Sequence, residues 1–200
     1  MSGGRHGAVK MAGMAAAFSI FDTAIGPCAI AWNVAGLTGV WLPETSAGRL
    51  RARIAKRRPD AVEKAPSAEI AVAVTAITSL LRGERTDLSD LRIDDASLEE
   101  LDRRVYTAAR AIPVGRVITY AALAARVGPI TSAREVGQSL GRNPFPIVVP
   151  CHRIVAASGE LGGFSAPGGA ATKRRLLTIE DARLDGADDL FDAPGDRPAD

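Results

Sequence analysis

A chain of 200 residues with 46% hydrophobic content and a formal charge of +2 can bury one good core and a smaller second one. No apolar run reaches the length of a membrane span, the longest being Ile70 to Leu81, and the apolar residues near the start are too few and too poorly flanked for a secretory signal. With only two cysteines and no export signal, a reducing cytoplasm is the expected compartment.

Residues 1–14, rich in glycine and methionine, read as a disordered extension, with Met14 an alternative start. A small α+β scaffold domain is expected over residues 15–93. Phe18 to Leu42 cluster as short β segments, with turns at Ile25-Gly26-Pro27 and from Gly36 to Gly39. Helical stretches follow around Ser46 to Arg57 and Ser67 to Leu81, so the expectation is a small sheet with helix packed on it. Cys28 sits in the apolar run Pro27-Cys28-Ala29-Ile30-Ala31-Trp32 and reads as core. Only Cys28 and His6 lie outside the segment around Cys151, too few ligands for zinc, so neither metal nor cofactor is expected.

A polar linker from Thr86 to Asp95 leads to Ser97-Leu98-Glu99-Glu100, whose spacing predicts a capping box opening a helix to about Ala111. The boundary is placed near Asp94, and a mainly helical domain is expected over 94–183. In it, Tyr120 to Val127 has helical spacing, Gly128-Pro129 breaks it, and a second helix is predicted from Ala133 to Leu140. Ser132 and Glu135 form a capping box that fixes the second helix's start and puts Arg134 in its first turn. A cation there meets the positive end of the helix dipole, which suggests a job outside the helix. An ordinary helix pair with a solvated arginine is the competing reading.

Residues 102–183 hold twelve basic against five acidic side chains, the footprint of a nucleic-acid surface, although solvated charge accounts for it equally. Residues 184–200 form an acidic tail with too little apolar area to order itself.

The chemistry-bearing segment is Pro150-Cys151-His152-Arg153-Ile154-Val155. A cysteine becomes a nucleophile where positive charge or a basic partner favours its thiolate, and His152 and Arg153 offer both. The alternative is a buried cysteine ending the apolar run Ile147-Val148-Val149. Three prolines upstream make a stiff loop, and the glycines from Ser158 to Gly169 suit either a pocket wall or a plain surface loop.

Several separated motifs then stand in one order: Phe21 to Gly26, Ile112 to Tyr120, Asn143-Pro144, Pro150 to Val155, Gly162-Gly163-Phe164-Ser165 and Lys173 to Glu180. Over Phe18 to Ala182 the chain resembles the O6-alkylguanine-DNA alkyltransferases. The resemblance implies that Cys151 takes the alkyl group irreversibly, once per molecule, with His152 accepting the thiol proton through a water and Glu180 orienting the imidazole. It implies that Tyr120 protonates the departing guanine, that the carbonyls of Cys151 and Ile154, the Ser165 amide and Phe164 hold the base, and that Asn143 braces the thiol loop. The partner implied is double-stranded DNA bearing alkylated guanine, bound by a monomer with no membrane. Arg134 would fill the stack vacated by the extruded nucleotide, and Thr119, Ser132, Ala133, Gly137, Gln138 and Arg142 would meet the DNA in the minor groove.

The chain departs from the family at Glu135, where alanine is frequent, at Tyr106, where tryptophan is common, at Phe164, where some members have tyrosine, and in a longer loop from Ala166 to Gly169. Two rivals remain at this level: a sensor that binds alkylated guanine without transfer, and a thiol hydrolase. For the hydrolase the adjacency of Cys151 and His152 is a difficulty, since neighbours in an extended loop point apart.

Overall fold

The computed structural model describes residues 16–158 and 160–182; the extension and the acidic tail lie outside the described residues. Alternation along Cys28-Ala29-Ile30-Ala31 organises the N-terminal half. Strands β1 (Ala17–Phe21), β2 (Cys28–Asn33) and β3 (Gly36–Trp41) pair antiparallel in sequence order, and β4 (Val62–Glu63) adds to β1 in parallel, giving the order β3-β2-β1-β4. Ala29 and Ala31 face one side, with Phe18 and Trp41, and bury against Leu50 and Ile54 of helix α1 (Ala47–Arg57). Cys28 and Ile30 face the other, where helix α2 (Ala68–Leu81) packs through Ile70, Ala73 and Ile77. Cys28 is core, as expected: it is fully buried, and burial pushes its thiol up to about 11. Ser46 and Ser67 cap the two helices through their hydroxyls.

The expected turn from Gly36 to Gly39 is not there; those residues belong to β3. The chain reverses two residues earlier, where Asn33 Oδ1 accepts from the amides of Ala35 (2.8 Å) and Gly36 (3.2 Å). Gly36 pairs with Asn33 and Gly39 with Ala31, and the missing side chain of Gly39 leaves room for the Trp41 indole.

The linker is tied to this sheet. Leu37 bridges Ile93, with the Leu37 amide donating to Arg92 O (2.9 Å) and the Asp94 amide to Leu37 O (2.8 Å). The capping box predicted at Ser97 and Glu100 does not form. Helix α3 (Glu100–Arg110) starts at an N-cap, Glu99, that makes no side-chain cap bond. With the N-cap two residues after Ser97, Glu100 is the first helical residue, and its carboxylate pairs with Arg103 at 2.9 Å.

The paired helices are as predicted: α4 (Tyr120–Val127) ends at Gly128, and α5 (Ala133–Gly141) begins at Ser132 with both halves of its capping box made. Tyr106 is buried and donates its hydroxyl proton to Ser139 O (3.1 Å), tying α3 to α5. Two-residue strands β5 (Ile118–Thr119) and β6 (Ile154–Val155) pair in parallel, and helix α6 (Gly169–Ile179), the last among the described residues, packs against the 3₁₀ turn Cys151–Arg153. The sheet reaches the thiol loop directly, because the Val40 amide donates to Pro144 O (2.9 Å). One buried cluster runs from Cys28 to Leu176 through both halves. No helix among the described residues is long and apolar enough to cross a membrane.

Gly36 has φ +142°, and a Cβ there would stand 2.7 Å from Arg92 O. Gly36→Ala is therefore expected to destabilise the protein by about 1–3 kcal/mol in urea unfolding. A loss below half of that would mean the sheet–linker contact is easily relaxed.

Candidate active site

Rigidity begins upstream of Cys151. Between Asn143 and Pro150 the prolines fix φ, and Ile147 is held at φ +75°, a left-handed conformation that a β-branched residue adopts only when its surroundings force it. Asn143 supplies part of that force. Its Nδ2 donates to Val149 O (2.9 Å) and reaches Cys151 Sγ at 3.4 Å, while its Oδ1 accepts from the Phe145 amide (2.8 Å). Cys151 then opens the 3₁₀ turn with only 7% of its surface exposed. Burial raises the thiol's pKa, opposed by the Asn143 contact and by the positive charge of Lys173, so the resting group is a thiol.

Behind it the polar groups form a closed set. His152 Nε2 lies 2.9 Å from Glu180 Oε1, and Arg153 grips the same carboxylate with Nε and Nη2, each at 2.9 Å. Arg153 also donates to Ile112 O, and the Gly115 amide donates to Glu180 Oε2 (3.3 Å). Burial alone pushes the Glu180 carboxyl up, but the His152 and Arg153 interactions outweigh it and hold the group at about 2. Burial lowers the pKa of His152. A neutral imidazole facing an ionised, acceptor-only carboxylate must carry its proton on Nε2, which leaves Nδ1 as the basic nitrogen. That atom is buried and has no hydrogen-bond partner among the described residues.

In front of the thiol opens a pocket of about 450 Å³ bounded by Tyr120, Leu140, Cys151, Phe164 and Ser165, with Gly137 and Gly163 at its edges. The Tyr120 ring is wedged beside Gly162, at φ +65°, where a Cβ would come within 3.2 Å of the ring. Burial raises the Tyr120 pKa, so the phenol keeps its proton. A roomier cavity of about 820 Å³ lies between the β2–β3 hairpin and α2, but neither cysteine nor histidine lines it.

Sequence reasoning missed Lys173. It is fully buried, donates from Nζ to Ile154 O, and stands 5.8 Å from the Tyr120 ring centre. Burial brings its pKa down to about 8. In the sequence it is one of three successive basic residues, and only the apolar spacing around it, Leu176 and Leu177 one turn on, marks it as inward-facing.

The family description 6-O-methylguanine DNA methyltransferase, DNA binding domain, matches residues 100–182. A methylated-DNA–protein-cysteine methyltransferase of Mycobacterium leprae is 32% identical over 184 residues, covering 86% of this chain and 96% of that protein. A DNA base-flipping protein of Thermus thermophilus is 34% identical over 154 residues, covering 76% and 99%. Among solved structures, Mycobacterium tuberculosis OGT in complex with DNA superposes with a TM-score of 0.67 at 31% identity, covering 82% of this chain and 92% of that one. The chain belongs to the methylated-DNA–protein-cysteine methyltransferase family.

Within this methyltransferase fold, the sequence-predicted residues divide into three groups. Cys151, Tyr120, Phe164 and Ser165 converge on the pocket, with Gly137 at its rim; His152, Glu180 and Asn143 stand behind or beside the thiol. Ser132, Ala133, Arg134 and Gln138 are exposed on α5, and Arg134 makes no hydrogen bond or ion pair among the described residues. Three others are occupied within the fold. Thr119 is buried and its hydroxyl caps α4 by accepting from the Ala122 amide (3.1 Å); Ile154 O accepts from Lys173; and Arg142, half exposed, is held by Asp102 at 2.8 Å.

Because the Glu180 pKa is depressed, the stability it contributes is full above the ordinary carboxylate value of 4.5 and is lost as pH falls toward 2. The expected loss over that window is about 3 kcal/mol, at about 1.4 kcal/mol per pH unit. Urea unfolding of the parent and of Glu180→Gln between about pH 6 and 2 checks this; equal acid sensitivity in both proteins would assign the effect to other groups.

Proposed function

We propose that this protein repairs DNA by moving the alkyl group of O6-alkylguanine in duplex DNA onto Cys151, acting as a cytoplasmic monomer and once per molecule. The observation that carries the reading is the pocket in which Cys151, Tyr120 and Ser165 meet beside the exposed Arg134 helix, with the His152–Glu180 pair behind the thiol.

In-line attack forms the S–C bond as the C–O6 bond breaks, and the electron pair stays on guanine. The thiol proton passes through a water to His152 Nδ1, and the imidazolium is stabilised by the ionised Glu180. Tyr120 donates its phenolic proton to guanine as negative charge develops there, and recovers one from the imidazolium through solvent, so that the thiol proton ends on the base. The Ser165 amide donates to guanine O6, and the Cys151 and Ile154 carbonyls accept from the exocyclic amine. Lys173, bonded to Ile154 O, holds that second carbonyl in place. The base must leave the stack to reach the pocket, at a cost of roughly a few kcal/mol, which Arg134 offsets by occupying its place.

Duplex DNA bearing labelled O6-methylguanine should leave one methyl group per protein, located on Cys151 by peptide mass spectrometry, and Cys151→Ser should acquire none. Tight binding of the lesion without an adduct would reduce the protein to a sensor; repeated turnover would exclude a thioether end point. Tyr120→Phe is expected to slow single-turnover transfer about 100-fold or more. Arg134→Ala should slow transfer from duplex DNA on the order of tenfold or more while leaving the reaction with free O6-methylguanine base unchanged; an equal loss on both substrates would remove Arg134 from base extrusion.

A further inference from the structure

Beside the thiol pocket is a smaller cleft, about 230 Å³, that the transfer chemistry leaves unused. Arg53 and Arg57 of α1, Arg58 at its C-cap and Arg142 at the C-cap of α5 line it, so guanidinium groups from two elements far apart in sequence converge. Arg53, Asn143 and Ser165 line both this cleft and the narrow space that reaches Cys151. The basic cleft is thus continuous with the thiol site.

Two of the four charges are compensated. Arg53 pairs with Glu44 and Arg142 with Asp102, each at 2.8 Å, and neither carboxylate lines the cleft. Arg58 donates only to an uncharged acceptor, Thr38 O. Arg57 is exposed and makes no hydrogen bond or ion pair among the described residues. The α1 dipole accounts for Lys56 and Arg57 near that helix's C-terminus. It does not account for Arg57 facing Arg142 across a concavity, where like charges repel unless an anion sits between them. Three guanidiniums already fixed by protein acceptors are pre-organised for an anion with several acceptor oxygens.

Resting on the DNA-repair reading above, we propose that this cleft holds a backbone phosphate of the strand carrying the extruded nucleotide. Helix α1, which belongs to the N-terminal sheet layer, then takes part in DNA binding. A phosphate contact carries no sequence information; it sets the register in which the strand passes the pocket, which suits a protein that must present a lesion to one fixed sulfur. The cleft also gives Arg142 a reason to be held by Asp102, since a tethered guanidinium loses less freedom on meeting its phosphate.

Arg57 is the residue to change, because nothing in the fold depends on it. In full-length protein, binding of an O6-methylguanine duplex is followed by fluorescence anisotropy across a salt series. Arg57→Ala should weaken binding on the order of fivefold at low salt and reduce the slope of log affinity against log salt by about one. Arg57→Glu should weaken it further, and Arg57→Lys should restore most of the slope. Lys56→Ala, which removes the same charge from the same helix outside the cleft, should change the slope by less than half as much. The reaction with free O6-methylguanine base should be unaffected in all four variants. Equal slopes for Arg57→Ala and Lys56→Ala, in a parent that binds and repairs the duplex, would overturn this inference and leave the proposed function standing. A parent that binds no lesion duplex would remove both.

Discussion

The carboxylate of Glu180 joins three parts of the chain that sequence separates. It projects from the C-cap residue of α6, receives the amide of Gly115 from the segment after α3, and holds His152 and Arg153 of the 3₁₀ turn. An ionised carboxylate at that depth is costly to desolvate, and the His152 and Arg153 contacts together make it tenable. Once ionised, it fixes the imidazole: the His152 tautomer, its ring orientation and the free Nδ1 lone pair all follow from having an acceptor-only partner on the other nitrogen. Arg153 therefore acts on the thiol site indirectly, by keeping the charge on Glu180 that orients His152.

The thiol's position has a separate origin in the loop before it. Ile147 sits in a backbone conformation that costs on the order of 1–3 kcal/mol, and it persists because neighbouring contacts over-determine it. Asn143 bonds the loop at Phe145, Val149 and Cys151, and the β3 edge of the N-terminal sheet holds Pro144. The sheet thus serves the site mechanically, through one main-chain hydrogen bond and the buried cluster around it.

How far the sequence could be read depended on whether competing partners were local. Ser132-Ala133-Arg134-Glu135 and Ser97-Leu98-Glu99-Glu100 carry the same spacing signal, yet only the first makes a capping box. The difference is where the helix starts: its N-cap is Glu99, so Glu100 is the first helical residue and its carboxylate pairs with Arg103. The glycines at 36 and 39 looked like a turn because glycine favours turns, but Asn33 had already reversed the chain and strand pairing then used the glycines as space for Trp41. The helix pair and the reactive hexapeptide were legible because their determinants lie within a few residues. Lys173 was not, since its burial arises only when α6 folds back onto the turn that carries Ile154, 19 residues away in sequence.

Burial sets the state in which the site waits. It raises the Cys151 pKa and lowers that of His152, so thiol and imidazole rest neutral, and it brings Lys173 down to about 8, while Glu180 and Arg153 keep opposite charges locked together. A thiol held neutral is a poor nucleophile toward stray electrophiles, and it is also shielded by Asn143 and 93% covered. On the proposed mechanism, activation comes from the step that moves the proton to His152 Nδ1, where the Glu180 charge is already in place to receive the imidazolium. Lys173 adds to that bias: as the sulfur becomes anionic, the charged form of the lysine is favoured in turn, so the two shifts imposed by burial relax together. On that mechanism, a cysteine spent only once is protected, because its sulfur stays a covered, neutral thiol until its proton is drawn away.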